Sequence, residues 1–406
     1  AQLKYRFQWN FPLFFSPHDP NKLYCASNSL HVTDNEGQSW RTISPDLTRN
    51  DSTKLQSSGG PITQDNTSVE YYCTLFAAAE SPRVPGLLWV GSDDGLIHVS
   101  RDGGDAWQSV RPKDLPTWIQ INSIEPDPHL DGGCYVAATA YKNGDFKPYL
   151  YRTKDYGKTW TKIVNGLPVE HFTRVLRADP VRKGLLYAGT EYGIYVSFDD
   201  GATWRSLQLN LPIVPITDLH LKATSLVVAT QGRSLWIIDD LGPLRQIDKT
   251  QDAPKVLFFE PKPMIRMDGG SGNSRYSGTN HPTGVVVFVY FDTIAPNDTL
   301  LFHCLSERGD TLSTWSNFPD NDAGMQKIEL KTGCNRLVLN PRGRPAQSFD
   351  GMVLWWSSLT APKPPTGNYR LIAKGKNFTE AVPFQILPEP RYGADSVAVA
   401  KQFEFI

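Results

Sequence analysis

Methionine, cysteine and charge are all sparse in this chain. Its 406 residues include 4 Met and 5 Cys, and 20 % are Asp, Glu, Lys or Arg, against about 25 % in an average soluble domain. The 41 basic and 42 acidic residues leave a net charge of −1. No global field therefore favours nucleic acid or an acidic membrane. Basic residues are dispersed among acids, which argues against a nucleic-acid partner. The longest purely apolar run is Val285–Phe291, far short of the ~20 residues a membrane helix needs. Ala1–Asn10 is polar and aromatic and lacks an apolar h-region, so an export signal would lie upstream of it.

The cysteines (Cys25, Cys73, Cys134, Cys304, Cys334) form no CxxC pair and no Cys/His cluster, which argues against structural zinc. Cys25, Cys73 and Cys134 sit in aromatic or apolar runs and read as buried free thiols. A Cys304–Cys334 pairing is left open by sequence. HExxH, GxSxG and Walker patterns are missing. The expectation is no metal and no cofactor.

Turn formers and aromatics are plentiful. There are 32 Gly, 31 Pro and 11 Trp, which suits a chain with many turns and excludes a disordered chain, a coiled coil and a helical bundle. Four segments share the pattern Ser/Thr-x-Asp-x-Gly-x-Thr/Ser-Trp. They are Thr33–Trp40, Ser100–Trp107, Thr153–Trp160 and Ser197–Trp204, with Asn35 in the Asp place of the first. The key positions are Asn35, Gly37 and Trp40; Asp102, Gly104 and Trp107; Asp155, Gly157 and Trp160; and Asp199, Gly201 and Trp204. The Trp-to-Trp spacings are 67, 53 and 44 residues. An Asp here accepts from the turn's own amides, Gly permits φ > 0, and Trp starts the next strand and buries its ring. These residues are assigned to structure, not catalysis.

The flanks repeat too. Lys22–Ser27, Leu87–Ser92, Cys134–Ala138 and Leu185–Thr190 fill one slot. Runs ending in Pro20, Pro82, Pro128 and Pro180 precede them. Ile216–Leu221, Leu226–Thr230, Ser234–Ile238 and Leu244–Ile247 form a fifth unit without the pattern. Units of about 40–60 residues with four strands each are propeller blades.

On these motifs the chain resembles the C-terminal portion of bacterial Asp-box (BNR-repeat) propellers of the sortilin-like, glycosyl-hydrolase-like family. Ser44–Asn50, Gly184–Glu191, Leu209–Pro212 and Ala229–Asp240 look like segments of that family, with Gln231 where such sequences usually carry His. The resemblance implies a large exported bacterial protein with two propellers, a β-sandwich and a helical tail. It also implies that the five blades are an incomplete ring, completed by a missing N-terminal half or a partner chain.

The expected fold is all-β: five four-stranded blades over residues 1–250, then an immunoglobulin- or fibronectin-like sandwich. Residues 251–283 are expected to be linker and first sandwich strand, 284–390 the sandwich, and 391–406 a linker to a missing tail. Sandwich strands are expected at Gly284–Phe291, Thr299–Ser306, Gln326–Leu330, Arg336–Leu339, Met352–Trp356, Asn368–Lys374 and Ala381–Leu387, with a hairpin turn at Glu307–Asp310.

For function, sialidase chemistry is set aside, because the Phe-Arg-Ile-Pro motif is missing. Hydrolysis with inversion needs two carboxylates about 6.5–9.5 Å apart. Glu191 and Asp93 are the catalytic candidates, each directly after a second strand, where residues tend to approach a mouth of the ring. Glu70, Asp145, Gln231 and Arg233 are ligand-binding candidates, with Tyr141 and Lys142 on a longer insertion of the third blade. The favoured function is extracytoplasmic binding of protein, peptide or glycan, or a scaffold role. The alternative is a glycoside hydrolase completed by a second propeller.

Overall fold

The computed structural model describes residues 4–57, 59, 62–63, 69–247, 255–267, 276, 281–320, 324–343, 346–347, 349–356, 359–391 and 396–405. The chain divides into two compact units, Ala1–Leu241 and Gly242–Ile406. The division falls nine residues before the expected boundary at 250. Fully buried Leu241 donates its amide to Thr224 O and ends the first unit.

The first unit is a series of small antiparallel sheets, each in chain order. Sheet one is β1 (Leu13–Phe15), β2 (Leu23–Ala26), β3 (Leu30–Thr33) and β4 (Arg41–Thr42). Sheet two is β5 (Leu75–Glu80), β6 (Leu88–Ser92), β7 (Ile97–Ser100) and β8 (Gln108–Ser109). Sheet three is β9 (Gln120–Pro126), β10 (Cys134–Ala140), β11 (Asp145–Thr153) and β12 (Thr161–Lys162). Sheet four is β13 (Thr173–Ala178), β14 (Leu186–Thr190), β15 (Gly193–Ser197) and β16 (Arg205–Ser206). Sheet five has β17 (Ile216–Lys222), β18 (Ser225–Thr230) and β19 (Leu235–Ile238). These are propeller blades. Successive blades pack through their first strands, β5 on β9, β9 on β13 and β13 on β17.

The second strands of blades two, three and four are buried on both faces, so they read as near-continuous apolar runs instead of alternating ones. Gly189 shows why a strand interior carries glycine here. A Cβ on it would stand 2.7 Å from Ile216 Cγ2 of the next blade, so only Gly permits that approach.

The repeated turns join third and fourth strands, and all four close in one way. Oδ1 of Asn35, Asp102, Asp155 or Asp199 accepts an O–H from Thr33, Ser100, Thr153 or Ser197 at 2.8–2.9 Å. The same oxygen accepts the amide of Ser39, Ala106, Thr159 or Thr203 at 2.9–3.0 Å. The leading hydroxyl accepts the glycine amide. The tryptophans then reach backwards between blades. Trp107 Nε1 donates to Ile43 O at 3.0 Å, Trp160 Nε1 to Val110 O at 2.6 Å and Trp204 Nε1 to Ile163 O at 2.7 Å. Their burial differs from the expected uniform one. Trp204 is buried, Trp107 and Trp160 are half-buried, and Trp40 is exposed. The rings fill gaps between neighbouring blades, and Trp40 has no blade before it among the described residues.

Blade five departs from the expected four strands. Leu244–Ile247 lies not on a strand but in and just after α1 (Gly242–Gln246). Pro243 offers no amide to a ladder and suits the first turn of a helix.

The second unit has two sheets. One is β20 (Val256–Phe258), β22 (Val285–Phe291) and β26 (Gly333–Leu339), with β22 central. The other runs β21 (Met264–Arg266), β28 (Phe378–Pro388), β27 (Gly367–Gly375), β23 (Leu301–Ser306), β24 (Thr311–Ser316), β25 (Gln326–Lys327). Val285, Val287 and Val289 from the first sheet share a core with Phe302, Leu371 and Phe384 from the second. Glu307–Asp310 turns β23 into β24, with Gly309 at φ +94. Met352–Trp356 belongs to neither sheet. It lacks the polar alternation of a half-buried strand, and Val353, Trp355 and Trp356 are exposed. β24 was not anticipated, because Thr311–Ser316 is too polar to stand out.

Parts of the expected 251–283 linker (251–254, 268–275, 277–280) lie outside the described residues. So do 392–395 and 406 of the expected 391–406 linker, whose residues 396–405 form α2 (Ser396–Phe405). All five cysteines are free. Cys304 is buried on β23 and Cys334 exposed on β26, in different sheets. Burial pushes the Cys304 thiol up to about 12. Among the described residues, no helix is long and apolar enough to cross a membrane.

Candidate functional site

Hairpin geometry sorts the loops of each blade. In an antiparallel sheet, successive turns alternate between its two ends. The turn between third and fourth strands therefore lies opposite the turn between second and third. Connections from one blade to the next share the latter end. That end carries a cavity of about 440 Å³. Its walls come from the β6–β7 turn (Asp93), the end of β10 (Thr139, Ala140), the β10–β11 turn (Lys142, Asn143), the β8–β9 connection (Thr117, Trp118) and the blade one to blade two connection (Lys54, Tyr72). Gln8 and Gln120 complete the lining.

Asp93 is 4 % exposed. Its carboxylate accepts the Thr74 amide at 2.9 Å and the Thr74 hydroxyl at 2.8 Å, while its own amide donates to Thr74 O at 2.9 Å. Burial pushes the carboxyl up to about 7, and the adjacent Asp94 adds to the rise. The Thr74 bonds and the Lys142 charge oppose it. Desolvation dominates, so this carboxyl holds or releases a proton near neutral pH. Asp94, fully buried, is occupied by Ser92 Oγ and the Arg49 amide.

Thr139 is a further residue of the cavity wall, and its Oγ1 is buried without a hydrogen-bond partner. A buried hydroxyl left unpaired is costly. Tyr72 and Trp118 stack with centroids 6.0 Å apart at 29°. Arg49 and Lys54 lie over the Trp118 ring at 5.0 and 4.6 Å. Trp118 takes φ +63, and Asn143 Nδ2 donates to its carbonyl at 3.1 Å. Lys142 Nζ donates to Gln120 Oε1 at 3.0 Å. The lining combines one titratable carboxyl, several amide and hydroxyl groups and an aromatic pair.

Of the sequence candidates, the cavity brings together Asp93 and Lys142. Glu191 occupies the equivalent turn of blade four, and its amide donates to Phe172 O as that of Asp93 does to Thr74 O. Its carboxylate is neutralised by Arg174, with Nη2 at 2.6 Å and Nε at 2.8 Å. Tyr141 is not among the lining residues and stacks on Phe172 at 5.0 Å and 13°, with Arg174 over both rings. Asp145 accepts Tyr149 O–H at 2.6 Å. Burial raises its carboxyl, but bonds from Tyr149 and Lys147 outweigh it and hold the group below the usual range. Glu70 accepts Trp9 Nε1 at 3.1 Å, beside the Gln8–Glu70 bridge. Gln231 and Arg233 are exposed in the β18–β19 turn, outside the cavity wall. Among the described residues, Arg233 donates within the turn, to Gly232 O.

Sequence reasoning passed over Thr139, Trp118 and Tyr72. Thr139 had a positional signal, since it is the last residue but one of a second strand. Trp118 had a weaker one, as a Trp in neither a repeated turn nor a strand. Among the described residues, no group of three or more His, Cys, Asp or Glu converges as a metal site would require.

No family model matches the sequence. The chain is 27 % identical over 252 residues to xyloglucanase Xgh74A of Acetivibrio thermocellus strain ATCC 27405. A second xyloglucanase Xgh74A from Acetivibrio thermocellus is 23 % identical over 252 residues. Each match covers 53 % of this chain and 29 % of the relative, so the chain spans under a third of the curated relatives it matches. Among solved structures, an ancestral GH74 enzyme aligns at TM-score 0.43 and 12 % identity, over 77 % of this chain and 38 % of that one. The GH74 xyloglucanase of Xanthomonas campestris aligns at TM-score 0.42 and 14 % identity, over 73 % and 44 %. The relatives support a propeller family of glycoside-hydrolase type. The blade assignment itself rests on the sheets of this chain.

Proposed function

We propose that the chain is part of a carbohydrate-active propeller protein of glycoside-hydrolase type. The cavity between blades two and three takes one sugar unit, and Asp93 is its proton donor. One observation carries this reading: a buried carboxyl shares a cavity wall with an unpartnered hydroxyl and a stacked Tyr–Trp pair. Sugars offer that chemistry in complement, with hydroxyls for Thr139, Gln120 and Asn143 and C–H faces for the rings. The similarity to xyloglucanases points to the same class. A polysaccharide substrate would place the site outside the cytoplasm.

An inverting mechanism needs a base carboxylate across the scissile bond, with a water between. Among the described residues, Asp93 is the one carboxylate in the cavity wall. The base therefore has to come from another part of the working protein. The same observation supports a second reading, in which the cavity binds glycan without cleaving it.

The test is a panel of xyloglucan, mixed-linkage β-glucan and cellulose, with binding and reducing-end release measured side by side. The hydrolase reading expects release that Asp93→Asn abolishes while binding remains. Binding without release favours the second reading. Neither binding nor release overturns both.

A further inference from the structure

Building on the sugar-binding reading above, we infer that the preferred ligand of the cavity is an acidic sugar, a uronate whose carboxylate is held at Lys142. Charge is unevenly distributed along the wall. Two lysines, Lys54 and Lys142, line the cavity, and among the described residues Asp93 is the one carboxylate that does. The lining is therefore net positive even with Asp93 ionised, in a chain whose own net charge is −1.

The other charges near the wall are matched. Lys54 Nζ lies 3.3 Å from Asp51 Oδ2 and 4.6 Å from the centre of the Trp118 ring. Behind the wall, fully buried Asp94 accepts the Arg49 amide at 2.8 Å, and Arg49 Nε donates to the Asp94 carbonyl at 2.8 Å. Lys142 differs. Among the described residues its Nζ donates to a neutral amide, Gln120 Oε1, at 3.0 Å. An ammonium has three N–H donors, so one bond to an amide leaves both donors and charge unmatched. The Lys142 charge does act on Asp93, favouring its ionised form. Asp93 is buried and already bonded to Thr74, and burial still holds its carboxyl up at about 7. Below neutral pH it supplies Lys142 with no counter-charge.

The ammonium is also fixed in place. Gln120 Nε2 donates to Asn122 Oδ1 at 3.0 Å, which turns Gln120 Oε1 toward Lys142. Lys142 stands on a single helical turn, Tyr141–Asn143, and Asn143 Nδ2 ties that turn to the Trp118 carbonyl at 3.1 Å. The same wall carries the stacked Tyr72–Trp118 pair. A uronate matches both features. Its ring offers C–H faces to the aromatic pair, and its carboxylate makes a charge-assisted bond to the ammonium, about twice as strong as a neutral one. A neutral sugar of the same shape meets the rings and amides but leaves Lys142 unmatched, so it binds more weakly.

Titration calorimetry on the 406-residue chain tests this at about pH 5.5 with three probes: trigalacturonate, its methyl ester and cellotriose. The ester removes the charge and keeps the ring. Trigalacturonate is expected to bind about tenfold more tightly than the ester, a difference that shrinks in about 0.5 M NaCl. Lys142→Met is expected to bring the acid down to the affinity of the ester, with an unchanged thermal midpoint showing that the variant is folded. Lys147 is an exposed lysine outside the cavity wall, and Lys147→Met is expected to keep the tenfold difference. Equal affinity for acid and ester overturns the inference and leaves the sugar-binding reading standing. A preference for the acid that survives Lys142→Met does the same. Binding of none of the three probes overturns the sugar-binding reading itself, and the inference with it.

Discussion

Asp93 and Thr74 hold each other through three hydrogen bonds, two into the carboxylate and one from the Asp93 amide. The pair fixes the β6–β7 turn against the start of blade two and leaves the carboxyl buried at a cavity wall. Burial sets its protonation, with a pKa near 7 in the folded chain against about 3.9 in an unfolded one.

The sign of the pH effect follows. Between those values the folded chain keeps a proton that the unfolded chain has released. This contribution is fully present below about pH 4 and is lost as pH rises through 7. Wild-type stability is expected to fall relative to Asp93→Asn by roughly 3 kcal/mol between pH 4.5 and pH 7.5, at about 1.36 kcal/mol per unit. Urea unfolding of both proteins at the two pH values measures it. Parallel curves would show that Asp93 is ionised throughout.

Thr139→Val removes the unpartnered buried hydroxyl while keeping the side-chain shape. Stability is expected to hold or rise slightly, since no hydrogen bond is broken. Affinity for a bound oligosaccharide is expected to fall by about 1 kcal/mol, roughly fivefold. Thermal unfolding and titration calorimetry on one preparation separate the two effects.

Gly157→Ala and Gly103→Ala test the blade contact against backbone strain. Both glycines have positive φ, +80 and +77, so each alanine carries a strain of about 1 kcal/mol. Only the Cβ at 157 meets a neighbour, Val110 Cβ at 2.5 Å, and nothing lies within 4 Å at 103. Gly157→Ala should therefore cost a further 1–3 kcal/mol or so, read as a lower denaturation midpoint. Equal losses would remove the interblade clash as the cause.

Arg177 ties blades three, four and five together. Its guanidinium reaches Ser123 Oγ and Asp218 Oδ1, each at 2.7 Å, and Glu125 Oε2 at 3.8 Å. Arg177 and Glu125 side chains are each 23 % exposed, so the pair lies between the surface and buried cases. Arg177→Leu is expected to cost roughly 2 kcal/mol. Adding Glu125→Leu should recover much of that by removing the stranded carboxylate. A double-mutant cycle in urea with additive losses would show that the two side chains do not communicate.

The first four blades were legible because each repeats a local rule. Asp155 bonds to residues two and four positions away, and such contacts leave a fixed spacing in the sequence. The unbroken apolar run of β22 and the Glu307–Asp310 turn were legible as local signals too. Met352–Trp356 misled, because apolar content alone does not say whether a sheet has room for one more strand. Asp93 could be found by its place after a second strand, and so could Glu191. Only contact with Arg174 separates the two, and Arg174 stands 17 residues from Glu191.

The sequence by itself determined the repeat, the strand order within each blade and the end of the blade where loops could carry a ligand. These follow from local hydrogen bonding and from the alternation of antiparallel turns. The tertiary structure decided which carboxylate is buried beside a cavity, which one is neutralised, and that Thr139 is left without a partner. Those outcomes depend on desolvation and on charges brought near by folding. It also decided that Trp40 is exposed where Trp204 is buried, although both follow the same local pattern. A side chain's burial is set by the blade beside it, and the eight residues of its own turn contain no information about that neighbour.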